Sequence, residues 1–114
     1  MKIHYLEIVT HEVDEVCASY AAADNADFSE PDPGLGNART AELSGGYLVG
    51  VRAPMHEAEE PVARPYWLVE DIEKSYAAAL AAGAKEAHPP MEIQGHGKFA
   101  IYVQGGVHHG LWQV

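Results

Sequence analysis

A chain of 114 residues is long enough to bury one core and too short for two independent ones, so a single domain is expected. Hydrophobic residues make up 47% and charged residues 21%, which excludes a disordered or fibrous chain. Seven Lys and Arg stand against seventeen Asp and Glu, and the formal charge of −10 opposes nucleic acid and anionic membranes while leaving neutral or cationic small molecules as easier partners.

No apolar run approaches the roughly 20 residues of a spanning helix, and MKIHYLEIVTHE lacks a signal-peptide pattern. A cytoplasmic location is therefore expected, in keeping with a lone Cys17 that allows no internal disulfide. KIHYLEIVT alternates and is rich in β-branched and aromatic residues, a strand with Ile3, Tyr5, Glu7 and Val9 on one face and His4, Leu6 and Ile8 on the other. From Val13 the period changes: Val13, Val16, Cys17 and Tyr20 form a helical stripe that ends before DNADFSEPDPGLGN. A short strand is expected around Phe28, then a hairpin of ARTAELS and GYLVGVR turning at Gly45-Gly46.

APMHEAEEPVAR, acidic and bounded by Pro54 and Pro61, has the composition of a linker. PYWLVE then reads as a strand, Asp71 as an N-cap, and Ile72, Tyr76, Ala79 and Leu80 as a helical stripe stopping at Gly83. A strand around Lys85 to Ala87 and a hairpin of KFAIYVQ and VHHGLWQ turning at Gly105-Gly106 complete the chain. Setting Val13 on Ile72, 59 residues later, also sets Glu7 on Tyr66 and Val9 on Leu68. This pattern is a tandem duplication of strand, helix and three strands, with one module in 1–52, a linker in 53–63 and a second module in 64–114.

That order, together with WLVEDIEKSYAAALAAGAKEAHPP and GHGKFAIYVQGGVHHGLWQ, resembles the vicinal oxygen chelate superfamily of glyoxalase I, extradiol dioxygenases and bleomycin-resistance proteins. The resemblance is to its small glyoxalase-like members and is strongest over residues 64–113. It implies an α+β fold in which tandem βαβββ modules form an eight-stranded, cleft-shaped sheet with two outer helices, and it implies a homodimer. It leaves function open, because this scaffold hosts isomerases, dioxygenases, thiol transferases and pure binders.

In metal-dependent members, His or Glu ligands come from the first, fourth, fifth and eighth strands. By the resemblance these positions fall on Tyr5, within GYLVGVR, on Arg64 and on Gly110, none of which supplies a usual ligand. No cofactor is then expected, although a divalent metal remains open through an irregular set of Glu7, His96 and His108, whose imidazoles and carboxylate suit Zn, Ni or Fe(II).

Alternation through the last strand puts His108, Gly110 and Trp112 on one face and His109, Leu111 and Gln113 on the other, so the adjacent histidines cannot share one metal. His109 is expected to pack toward the helices. His108 has three readings: a hydrogen-bonding group for a ligand, a ligand of a shifted metal site, or an ordinary residue at the cleft mouth. His96, in Gly95-His96-Gly97, is either a loop group over the cleft or a solvated histidine. His4, His11, His56 and His88 receive no assignment.

Glu7 lies in the middle of an apolar strand and must be hydrated, paired or protonated. An ion pair with Arg64 is one reading, and a general base or ligand anchor is the other. The family register directs Tyr5, Tyr66 and Trp112 to the concave face, with Tyr47 and Tyr102 as possible additions, and such rings suit flat or cationic molecules. Cys17 sits in a helical stripe and is expected to be inert.

The leading expectation is a protein that binds a small organic ligand in an aromatic, acidic cleft without the standard metal set. Its catalytic candidates are Glu7 and His108, and its ligand-binding candidates are Tyr5, Arg64, Tyr66, His96 and Trp112. The alternatives are a metal-dependent lyase, isomerase or dioxygenase, and a metal-free acid-base enzyme with Glu7 as base.

Overall fold

The computed structural model describes residues 1–114. The chain divides into two compact units, Tyr5–Ala63 and Arg64–Val114, the latter taking in Met1–His4 as well. Seven strands, two α-helices and one 3-10 turn make up the α+β fold.

In the first unit the elements are β1 (Lys2–Val9, of which Tyr5–Val9 belongs here), α1 (Val13–Asp24), the 3-10 turn Pro33–Leu35, β2 (Arg39–Glu42) and β3 (Leu48–Arg52). β3 pairs parallel with β1 and antiparallel with β2, Gly46 taking a φ of +85° in the hairpin turn. The alternation read from the sequence decides the faces. Leu6, Ile8, Val49 and Val51 meet the α1 stripe of Val13, Val16, Cys17 and Tyr20. Burial of a side chain such as Val49 or Val51 contributes about 1.5–3 kcal/mol each. Tyr5, Glu7 and Val9 therefore lie on the face turned away from the helix, next to Gly50 and Arg52.

The strand expected around Phe28 does not form, so seven strands stand where eight were expected. Pro31 and Pro33 lack the N–H groups a ladder needs. What survives is an isolated bridge between Asp32 and Ala38 and a 2.8 Å bond from Ser29 N to Thr40 O. Phe28 packs against the α1 core all the same.

The second unit completes the βαβββ order with β4 (Val62–Leu68), α2 (Ile72–Ala81), β5 (Lys85–Ile93), β6 (Gly97–Gln104) and β7 (Val107–Gln113). Its strand order is β4-β7-β6-β5, with β4 and β7 parallel and the rest antiparallel. Asp71 caps α2 as expected, its Oδ1 accepting from Lys74 N at 3.1 Å, a contact worth about 1 kcal/mol. The Ile72 N–H is satisfied from β7 by Gln113 Oε1 at 2.8 Å. Just beyond the helix, Gly83 adopts a φ of +109°.

Ile72, Tyr76, Ala100 and Leu111 form the core of this unit, with Trp67 and Tyr102 packed on it. β5 runs longer than expected and holds Pro89 and Pro90 within the second of its two register shifts, between His88 and Met91, where an edge strand tolerates missing donors. No helix is long and apolar enough to cross a membrane.

Candidate functional site

On the outer face of the first unit, β1 and β3 bring Glu7 and Arg52 together, because Glu7 is registered opposite Gly50 and Arg52 stands two residues further on. Arg52 is buried, 4% exposed, and its Nε donates to Glu7 Oε2 at 2.8 Å. Its other edge grips Glu59 with two prongs, Nη1 to Oε1 at 2.8 Å and Nη2 to Oε2 at 2.7 Å. The Met55 backbone N–H adds a third bond to Glu59 Oε1, at 2.7 Å. Arg52 beside it holds the Glu59 carboxyl down at about 2, and the same contact raises the Arg52 pKa further.

Tyr5 is buried beside this cluster. Burial, then the charge of Glu7, pushes its phenol well above the ordinary range, so it stays protonated. In the second unit, buried Arg64 places Nη2 3.4 Å from Nδ1 of the exposed His108. Nearby rings form a continuous cluster. Tyr66 meets Trp112 edge-on at 5.6 Å and Phe99 at 6.4 Å, and Phe99 stacks on His88 at 4.6 Å. His4 lies 5.5 Å from Trp112, its pKa lowered by burial and then by Lys2.

Trp112 Nε1 donates to the His96 carbonyl at 2.8 Å, so the glycine-flanked loop is fastened to the cluster through its main chain. His109 turns toward the helix side, stacking on Tyr102 at 5.1 Å and bonding Gln104 O at 3.1 Å. Tyr47 and Tyr102 pack against the two helix-side cores and so leave the outer face.

The structure thus gathers Tyr5 and Glu7 in one unit and Arg64, Tyr66, His96, His108 and Trp112 in the other. Sequence reading missed Arg52, Glu59 and His88. Arg52 was legible, since it alternates with Gly50 onto the face of Glu7. Glu59 was hidden in a segment whose composition says linker.

A family metal set can be tested at each position. In the first unit, a Cβ on Gly50 would collide with the Tyr5 hydroxyl. In the second, a Cβ on Gly110 would collide with the Tyr66 ring and come 2.8 Å from Pro65 O. Tyr5 itself is a phenol held un-ionised and Arg64 is a cation, and no group of three or more His, Cys, Asp or Glu side chains gathers to hold an ion. The residues present do not fit a divalent metal at the family positions.

At the level of sequence, no family model and no curated protein matches the chain. Solved structures do match its fold. A hypothetical protein from Bacillus halodurans C-125 shares 15% identity with a TM-score of 0.77, over 99% of this chain and 94% of that one. The methylmalonyl-CoA epimerase of Mycobacterium tuberculosis shares 13% with a TM-score of 0.76, over 98% and 87%. A Streptomyces coelicolor methylmalonyl-CoA epimerase variant in complex with 2-nitronate-propionyl-CoA shares 17% with a TM-score of 0.73, over 99% and 94%. The chain therefore has the fold of the vicinal oxygen chelate superfamily, as its sequence motifs imply. At these identities the likeness is one of fold.

Proposed function

We propose that the chain binds a small organic molecule without the metal set that the family resemblance implies for metal-dependent members, using the aromatic cluster of the second unit. The observation that carries this reading is the pair of tyrosines seated on glycines, Tyr5 over Gly50 and Tyr66 over Gly110, which leaves no room for ligating side chains there. Phe99, half-buried and stacked on His88, offers a ring for flat groups, with Tyr66 and Trp112 behind it. Arg64 and His108 supply cationic and hydrogen-bonding character beside the cluster. The ligand's polar end is then anionic or a hydrogen-bond acceptor, where acidic composition alone favoured a cation.

An acid-base enzyme with Glu7 as base is less well supported, because Glu7 Oε2 already accepts from the buried Arg52 Nε at 2.8 Å and is engaged within the strand pair. Elemental mass spectrometry tests the metal-free part. Untagged protein incubated with Zn, Ni, Mn or Fe(II) and then desalted should retain no stoichiometric metal; one ion per chain overturns the reading. Binding is tested by tryptophan fluorescence against aromatic acids and acyl-CoA thioesters, the latter chosen because solved epimerases of this fold act on such esters. A saturable change lost in Trp112→Phe supports the site, and no response to either class argues against it.

A further inference from the structure

The guanidinium of Arg52 has two edges used differently. Its Nε edge is fixed by Glu7, a neighbour within the paired strands β1 and β3. Its terminal edge, which takes carboxylates in the two-pronged manner, is filled by Glu59 from an irregular segment. We propose that this edge is a binding site for a ligand carboxylate, and that residues 53–61 are a cover whose Glu59 occupies the site until a ligand displaces it. The site lies in the first unit and stands independently of the aromatic cluster.

Three observations support displacement over a purely structural clamp. First, Glu7 already balances the charge of Arg52, so Glu59 is a second carboxylate on one cation. Exchanging it for a ligand carboxylate preserves the charge count and leaves no buried guanidinium unpaired. Second, every residue from 53 to 61 is exposed except Pro54 and Glu59, so opening the segment uncovers little apolar surface. Third, its other bonds mostly tie it to itself: Met55 N to Glu59 Oε1, and Glu59 N to His56 O at 3.1 Å. Beyond the two prongs, Arg52 contributes Nη1 to the adjacent Ala53 O at 3.2 Å, a bond the chain keeps when the rest lifts.

Succinate is a suitable probe, used at tens of millimolar, the scale of a tethered group's effective concentration, against chloride at equal ionic strength. Hydrogen exchange of the intact chain is read at the Met55 amide, which Glu59 protects. Succinate should raise that exchange several-fold while chloride does not. Calorimetry with Glu59→Gln should show succinate binding about tenfold tighter than to the unaltered chain, since no internal carboxylate competes. No succinate-specific exchange in the unaltered chain overturns the proposal, and so does unchanged affinity in a folded Glu59→Gln. If that variant does not fold, the exchange result on the unaltered chain decides alone.

Discussion

In the first unit the sheet face turned from its helix carries Tyr5, Glu7 and Arg52, whereas in the second the corresponding face carries Tyr66, Phe99 and Trp112. Glu7 and Tyr66 hold equivalent places, one opposite Gly50 and the other opposite Gly110. One parallel strand pair thus presents a charge that demands a cation, and the other a ring that demands neighbouring rings. What the halves share is the helix-side alternation that makes the core. What separates them is a handful of outward residues, and those decide which ligand chemistry each half can offer.

The sharpest way to break this contrast is to remove the cation. Arg52→Met removes the guanidinium shared by the Glu7 and Glu59 side chains, 12% and 17% exposed, and urea unfolding at neutral pH should show a loss of about 3–5 kcal/mol. A smaller loss is expected from the aromatic half. Gly110→Ala drives a methyl into the Tyr66 ring and should cost about 1–3 kcal/mol by the same measurement. Trp112→Phe keeps the ring but leaves the His96 carbonyl without its donor. We expect about 1 kcal/mol and faster hydrogen exchange around His96.

The effect narrowest in range is confined to acid. Because the folded Glu59 pKa is depressed from 4.5 to about 2, the unfolded chain takes up that proton first as pH falls. The stability Glu59 contributes is therefore full above pH 4.5 and lost on the way down to about 2. Glu59→Gln should flatten the stability profile in that window relative to the unaltered chain; an identical slope would place the acid sensitivity elsewhere.

Much of the architecture was legible because it rests on local signals. The change of period at Val13, the Asp71 cap and the paired glycines at both hairpins each act within a few residues. The strand near Phe28 was misread because hydrophobicity there is real, while two prolines deny the ladder its donors. The site was legible in part. Alternation put Glu7 on the outer face, but the choice of Arg52 and Glu59 as partners depends on strand pairing and on a loop closing back, neither of which a periodicity records. His88 was passed over because Pro89 and Pro90 beside it suggest a loop, although the edge strand absorbs them with register shifts.

The tyrosines seated on glycines also bear on how such a scaffold changes over evolutionary time. A carboxylate or imidazole introduced at Gly110 meets the Tyr66 ring, so that change alone is penalised. Shrinking Tyr66 first empties a buried site at a cost of about 3–5 kcal/mol, comparable with the whole stability of a small domain. Gly50 and Tyr5 pose the same obstacle in the other half. A change that adds a ligating side chain at either glycine is therefore selected against unless the facing tyrosine changes with it.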